Sequence, residues 1–187
     1  MKKQVINKLQ KYGVGLRRGE LSFFKNENWI HVGQLLQKQL QELTDCRVEH
    51  VGSTAVEGLL AKPILDFLLC YSTDKISQKT IEVLQNFGFT YKADIISEVT
   101  NTKPKASRHF FAYYNEDQTF DYMHIHALSV DDQEAKNYLI VKNNLQDDRE
   151  KRNLYNQFKL KRLDQNMSRE QYRVSKTDVV SKILESL

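Results

Sequence analysis

The stretch that decides the fold is RVEHVGSTAVEGLLAKPILDFLL, residues 47–69. It predicts a strand that ends at Val51, a Gly-Ser-Thr turn, a short looped or helical segment, and a second strand that carries one acid, Asp66. The second strand is apolar on both sides of this acid, and an unpaired carboxylate is costly to bury in such surroundings. We therefore interpret Asp66 as a functional residue that meets a metal ion or a cation.

The turn before this strand is the second candidate for function. Gly52, Ser53 and Thr54 offer backbone N–H groups and two hydroxyls, which are suitable donors for phosphate oxygens. A tight turn whose hydroxyls cap the next segment explains the same residues structurally, so the turn alone does not establish a binding site. Lys62 adds a cation close to the second strand.

The size and composition of the chain indicate one domain, residues 1–187. The hydrophobic share is 40% and the charged share 28%, which is ordinary for a globular protein with a substantial core. The net charge of +4 favours anionic ligands, and the basic residues are interleaved with acids, so composition alone does not choose between a nucleotide and nucleic acid. Of the two, we expect the nucleotide and not nucleic acid. No apolar run approaches the roughly 18 to 20 residues of a membrane span, and the first residues lack the apolar core of a secretory signal. We expect a cytoplasmic protein without a membrane partner.

The rest of the chain predicts an α+β fold, with a mixed sheet first and a helical region from about residue 131. Apolar residues at helical spacing predict helices over 1–12, 26–43 and 77–87, and three more within 131–187. Strands are predicted over 89–99, 108–114 and 119–130. The last two strands should form an antiparallel hairpin, and residues 100–107 a polar loop.

The central stretch resembles the nucleotidyltransferase fold, in which a Gly-Ser turn is followed closely by an acid on the next strand. More narrowly, EHVGSTAV (49–56), Gly58-Leu59 and AKPILD (61–66) resemble the GrpB family, a poorly characterised branch of that superfamily. The resemblance implies a nucleotidyltransferase-like mixed sheet with packed helices. It also implies a nucleoside triphosphate or another small phosphorylated ligand, with a divalent metal, Mg²⁺ or Mn²⁺, as cofactor.

The resemblance implies further site residues on the later strands. His124 and His126 match a His-x-His strand of the family; two residues apart, they point the same way and can hold one metal ion together with Asp66. The alternative is that both histidines line a polar surface or bond to backbone. Asp121 falls on the opposite face of a regular strand and needs a bulge to join them. Arg108 resembles a basic position of the family and is either a phosphate ligand or a solvated strand end.

The sequence also departs from these patterns. Nucleotidyltransferases usually carry a second acid two residues beyond the first, and this chain has Leu68 there. In the helical region the family's Arg-Asp pair is replaced by Lys142-Asn143, whereas a Tyr-x-x-x-Lys pattern recurs at Lys159 and Lys176. Either lysine can reach a triphosphate that lies over the sheet.

Three functional hypotheses follow. In the first, an enzyme binds a nucleoside triphosphate and a metal ion between the turn and the central strands and transfers a nucleotidyl group, with Asp66 as the catalytic metal ligand. In the second, a catalytically degenerate member keeps only a nucleotide- or anion-binding cleft, which Leu68 favours. The third, an RNA-binding accessory domain, rests only on the mild positive charge.

Overall fold

The computed structural model describes residues 2–72, 75–93 and 108–185. Within these ranges the helices are α1 (Lys2–Lys11), α2 (Asn28–Thr44), α3 (Gln78–Phe87), α4 (Gln133–Asp147), α5 (Arg149–Asp164) and α6 (Arg169–Leu184). The strands are β1 (Leu16–Arg17), β2 (Arg47–Val51), β3 (Leu65–Tyr71), β4 (Thr90–Ala93), β5 (His109–Tyr114) and β6 (Phe120–Ser129). A short 3₁₀ turn, Ser53–Ala55, follows β2.

The predicted α+β architecture, with its helical C-terminal region, is confirmed. The predicted strand over 89–99 is observed as β4 up to residue 93; its remaining residues and the predicted polar loop at 100–107 lie outside the described residues. No helix in the described ranges combines the length and the apolar character that crossing a membrane requires.

The strands form one mixed sheet in the order β2-β3-β6-β5-β4. β3 and β6 are parallel and the other pairs are antiparallel, so the predicted hairpin of β5 and β6 is confirmed. The register pairs Val51 with Asp66 and Asp66 with His124. The end of β2, the acid and the first histidine therefore lie in one row across the sheet.

Alternation of side chains along β3 separates the two faces of the sheet. The odd-numbered residues of β3 enter the main core, which also contains residues of α1, α2 and α3. The even-numbered residues face the C-terminal helices, where α4 covers Leu68 and Cys70 with Ala135 and Tyr138. Asp66 lies at the edge of this cover, with 30% of its side chain exposed.

Two polar contacts anchor the turn after β2. Nε2 of the buried His50 lies 3.0 Å from Oγ1 of Thr54, and that hydroxyl donates to the backbone carbonyl of Ile64 at 3.4 Å. Because the hydroxyl has only one proton, His50 is the donor to Thr54. The end of β2 is thereby joined to the start of β3. Burial lowers the pKa of His50 to about 4, although the charge of Asp66 opposes the shift.

Helix α2 approaches β2 closely at Gly33. An ideal Cβ at this position would lie 2.2 Å from two atoms of the His50 ring. Glycine costs about 1 kcal/mol relative to alanine inside a helix. Glycine is nevertheless needed at this position, because only a hydrogen atom fits between the helix and the imidazole.

We expect Gly33→Ala to lower the free energy of unfolding by about 2 kcal/mol, because overpacking outweighs the better helix propensity of alanine. Urea unfolding followed by circular dichroism measures the change. Gln34→Ala, at the neighbouring exposed position of α2, is the control and should alter stability by no more than about 0.5 kcal/mol. Unchanged stability of the Gly33 variant would contradict the close contact.

The low pKa of His50 predicts acid-sensitive stability. Its pKa is about 4 in the folded protein against an ordinary value of 6.5, so in this interval the unfolded chain binds a proton that the folded chain does not. The contribution is complete above pH 6.5 and is lost as the pH falls towards 4. The loss amounts to about 3 kcal/mol of unfolding free energy.

His50→Gln should remove this part of the pH dependence, because glutamine does not titrate. Urea unfolding at several pH values between 4 and 6.5 compares the slopes for the variant and the wild type. His31→Gln, which removes an exposed histidine of α2, should keep the wild-type slope. If the unfolding free energies of the His50 variant and the wild type depended on pH in the same way, burial would not lower the pKa of His50.

Candidate functional site

A cleft of about 530 Å³ opens over the part of the sheet that borders Asp66. Its floor comes from β3, β5 and β6, and its walls come from the turn after β2, the segment around Arg18, and helices α5 and α6. The predicted site residues that line it are Gly52, Ser53, Thr54, Lys62, Asp66, His124 and His126. The cleft therefore brings together every predicted site residue except Arg108.

Gly52 allows the turn to touch the acid. It has a φ of 72°, and an ideal Cβ there would lie 2.9 Å from Oδ2 of Asp66. The left-handed backbone and the close approach both require glycine. As a result, the backbone of the turn and the carboxylate of Asp66 can face the same ligand.

The two histidines point the same way, as their spacing predicted, and both lie beside Asp66. Nδ1 of His124 lies 3.2 Å from Oδ1 of Asp66, and Nε2 of His126 lies 3.9 Å from the same oxygen. Burial raises the pKa of Asp66, but the hydrogen bond from His124 and the nearby imidazole of His126 outweigh burial and hold the pKa well below its ordinary value. Asp66 is therefore an ionised acceptor at neutral pH.

Arg108 does not line the cleft; its side chain lies between His126 and helix α4. Its fully buried guanidinium donates to Oε1 of Glu134 at 2.7 Å and to Nδ1 of His126 at 3.0 Å. It also donates to the hydroxyl of Tyr138 at 3.2 Å. This placement differs from both sequence interpretations, a phosphate ligand and a solvated strand end. What Arg108 does in the structure is orient His126.

The contact with Arg108 determines where His126 carries its proton. A guanidinium has donors and no acceptor, so Nδ1 of His126 accepts, and the neutral ring is protonated at Nε2. That N–H points towards Asp66 and leaves Nε2 without a lone pair for a metal ion. The arrangement argues against the predicted metal-ligand role of His126. Among the described residues, no group of three or more His, Cys, Asp or Glu side chains is placed to hold a metal ion.

A divalent ion nevertheless fits the chemistry of Asp66. Mg²⁺ is commonly held by one or two carboxylates together with substrate phosphates and water. Asp66 supplies one partly exposed carboxylate, whereas the position of a second acid is taken by Leu68, which is fully buried under α4. These donors suit a metal ion that arrives with a phosphorylated ligand.

A β-bulge brings Asp121 into the same cleft. In a regular strand Asp121 and His124 would point to opposite faces. Here Tyr114 pairs with Asp121 although the preceding residue of β5 pairs with Met123, so Tyr122 is an extra residue in β6. The bulge that Asp121 needs in order to share a face with His124 is therefore present, and Asp121 lines the cleft.

Two arginines neutralise Asp121. Nη1 of Arg169 lies 2.5 Å from Oδ2 of Asp121, and Nε of Arg18 lies 3.7 Å from Oδ1. The carboxylate is almost completely buried by these contacts. Because Arg169 is the first residue of α6, the ion pair ties the start of that helix to the sheet.

Basic side chains dominate the walls of the cleft. The basic lining residues are Arg18, Lys62, Lys159, Arg169, Arg173 and Lys176. The acidic ones are Asp66, Asp121 and Glu170. With neutral imidazoles, six basic and three acidic groups give the cleft a net charge of +3, against +4 for the whole chain. The excess positive charge is therefore concentrated at the cleft.

Lys159 is the most deeply buried of these cations. Only 1% of the residue is exposed, and its ammonium donates to Oγ of Ser53 at 2.7 Å and lies 3.9 Å from the ring centre of Tyr155. Burial lowers the pKa of Lys159 well below the ordinary lysine value, and the charges of Lys176 and Lys62 lower it further. A bound anion would relieve this repulsion.

The two hydroxyls of the turn have different functions. Ser53 accepts from Lys159, so its own proton is directed elsewhere and can be donated to a ligand. Thr54 is buried and uses its hydroxyl to join His50 and Ile64. The geometry thus leaves the hydroxyl proton of Ser53 available, whereas it assigns Thr54 a structural role.

Comparisons with known proteins give a consistent family assignment. The family model described as GrpB protein matches residues 24–186. A UPF0157 protein of Pseudomonas aeruginosa is 30% identical over 144 residues, 73% of this chain and 53% of the relative. A UPF0157 protein of Halalkalibacterium halodurans is 49% identical over 47 residues, 25% of this chain and 24% of the relative. The matches thus span about half of the first relative and a quarter of the second.

Solved structures support the fold. The conserved protein GrpB from Enterococcus faecalis superposes with a TM-score of 0.65 at 21% identity, covering 87% of this chain and 96% of that one. The Cid1 poly(U) polymerase in its MgGTP-bound form reaches a TM-score of 0.43 at 12% identity, covering 82% of this chain and 45% of that one. The first likeness shows a shared fold, and the second is too distant to support an argument.

Proposed function

The chain belongs to the GrpB family, and its residues 47–69 resemble the corresponding stretch of nucleotidyltransferases. We propose that the protein binds a nucleoside triphosphate in the cleft and transfers the nucleotidyl group to a second substrate. One observation carries the proposal. A single ionised and partly exposed carboxylate, Asp66, lies between a glycine turn and a wall of basic side chains.

The charge of the cleft supports a polyphosphate ligand. Its net charge of +3 complements the three or more negative charges of a triphosphate. Lys62 and Lys176 lie close enough to Lys159 for their charges to lower its pKa, after burial as the larger cause, and one phosphate chain would interact with all three lysines. The hydroxyl of Ser53 provides a donor at the same wall. Concentration of charge in a cleft favours a small anion over a nucleic-acid strand.

The residues around Asp66 would act by positioning. Asp66 would hold a divalent metal ion together with phosphate oxygens, and the ion would neutralise charge that develops on the transferring and leaving groups. The Nδ1–H of His124 and the Nε2–H of His126 keep Asp66 ionised and oriented. Lys159, Lys176 and Lys62 would stabilise the phosphates that leave. No further acid is available at position 68.

The buried Leu68 favours a second candidate function, a nucleotide- or anion-binding protein that does not catalyse transfer. The two candidates differ in pyrophosphate release from ATP. With Mg²⁺ and a bacterial small-molecule extract as a source of second substrates, the transferase releases pyrophosphate and its Asp66→Asn variant does not. Binding of ATP without any release, over a range of extracts, would favour the second candidate.

Asp66→Asn should abolish the metal-dependent part of ATP binding. ATP is expected to raise the midpoint of thermal unfolding, and Mg²⁺ or Mn²⁺ to raise it further, because ligands stabilise the state they bind. The variant keeps the shape of the side chain but loses the charge that attracts the ion. Differential scanning fluorimetry with ATP, metal ion, and both together measures the three shifts.

Asp164→Asn, at an exposed position of α5 outside the cleft, makes the same change in net charge and should behave like the wild type. A metal-dependent increment that survives in Asp66→Asn would disprove the assignment of Asp66 as the metal ligand. It would leave the phosphate-binding part of the proposal intact.

Lys176→Glu should weaken the binding of inorganic tripolyphosphate by about tenfold or more, because a charged hydrogen bond is replaced by like-charge repulsion. Isothermal titration calorimetry measures the affinity, which should also fall with salt. Lys182→Glu changes an exposed lysine on the same helix and should stay within about twofold of the wild type. Equal losses in both variants would indicate a non-specific charge effect in place of a phosphate site.

A further inference from the structure

The aromatic side chains of the cleft differ in how much surface they present. Phe23, Tyr114, Tyr155 and Tyr172 line the cleft but are buried, with 2–9% of each residue exposed. Phe110 also lines the cleft and is only partly buried. Among the phenylalanine and tyrosine residues of this lining, Phe110 is thus the least buried, which makes it the candidate for contact with a ligand.

Phe110 is supported from the sheet side by other rings. Its ring centroid lies 5.1 Å from that of His124 and 5.3 Å from that of His126. His126 is in turn fixed by Arg108 and by the ring of Tyr138, whose centroid is 5.0 Å away. A ring held in this way loses little further freedom when a ligand stacks on it, which favours binding.

The position of Phe110 relative to the turn suits a nucleotide. The turn follows β2 and Phe110 lies on β5, with β3 and β6 between them in the sheet. At about 4.8 Å per strand, three strand spacings give about 14 Å, a distance comparable to the length of an extended nucleoside triphosphate. Asp66 and His124 lie in between, on β3 and β6.

We propose that Phe110 is the platform on which the nucleobase of the bound nucleoside triphosphate stacks, with the phosphates at Ser53 and the basic wall. The inference rests on the proposed function, because it assumes that the phosphates occupy that wall. Every base has a π-face, so a phenylalanine platform selects for the presence of a base and discriminates little among bases. The substrate class is therefore nucleotides in general, as opposed to inorganic polyphosphates.

The test compares ATP with inorganic tripolyphosphate on the full chain. Isothermal titration calorimetry gives the dissociation constant of each ligand, and their ratio measures the contribution of the nucleoside. We expect the wild type to bind ATP more tightly than tripolyphosphate. Phe110→Leu should weaken the affinity for ATP by about tenfold and change the affinity for tripolyphosphate by less than about twofold. The ratio is read on one sample, so partial unfolding of a variant affects both ligands alike.

Two further variants make the outcome specific. Phe110→Tyr retains an aromatic face and should retain the wild-type ratio. Phe120→Leu makes the same substitution as Phe110→Leu at an exposed phenylalanine of β6 outside the cleft lining, and should also leave the ratio unchanged.

The outcomes separate the two levels of the argument. A wild type that binds both ligands equally, or a Phe110→Leu variant that keeps its preference for ATP, would overturn the stacking proposal and leave the anion site standing. A wild type that binds neither ligand would overturn the proposed function, and the stacking proposal with it. If Phe110→Leu loses the preference for ATP while Phe110→Tyr and Phe120→Leu keep it, the result supports both the stacking proposal and the proposed function.

Discussion

The structure is organised by the need to accommodate one carboxylate, Asp66, in an otherwise apolar strand. Glycine at position 52 lets the backbone come close to it, and the two histidines of β6 provide N–H groups that keep it ionised. One of these histidines is held by Arg108, which is itself neutralised by Glu134 of α4. A buried arginine without such a partner would be strongly destabilising. The support of a single acid therefore extends along β6 and into α4, the helix that packs on the same face of the sheet, and this is why β3, β6 and α4 have to be positioned together.

The cleft combines this central acid with positive charge from distant parts of the chain. Lys159 reaches Ser53 across 106 positions of sequence, and Arg169 reaches Asp121 across 48. Both contacts fix the C-terminal helices over the sheet while leaving cations at the surface of the cleft. Since like charges so close together repel one another, the folded protein bears a cost that an anionic ligand would offset. The electrostatic arrangement is thus consistent with the proposed ligand, which carries several negative charges; in that proposal the metal ion would be held by the phosphates as well as by Asp66.

The sequence predicts the local parts of this arrangement and misses those that depend on packing. The strand, turn and strand of residues 47–69 follow from apolar runs and turn residues, and the shared face of His124 and His126 follows from strand parity. Parity also misplaces Asp121, because one extra residue at Tyr122 reverses its direction. Arg108 directly precedes β5, but its long side chain reaches past His126 to a helix that starts 25 residues later. Nothing in the spacing of Arg169 and Arg173 shows that their helix lies over the cleft, since that depends on how α4, α5 and α6 pack. The periodicity of the sequence predicts which residues share a face within one helix or strand, but it does not predict which elements pack together.

The missing second acid has a structural meaning that the sequence alone does not show. At position 68 a carboxylate would face Ala135 and Tyr138 of α4 and would be as fully buried from solvent as the residues of the main core. It would need its own donors or a metal ion within reach, and α4 would have to move to admit either. Yet α4 carries Glu134, which holds Arg108 and through it the proton of His126. Leucine at this position therefore keeps in place the helix that orients one of the two imidazoles beside Asp66. Restoring the acid would disturb that support, so this chain's site is best understood as one carboxylate, Asp66, held by the imidazoles of β6, with α4 packed over the position that a second acid would take.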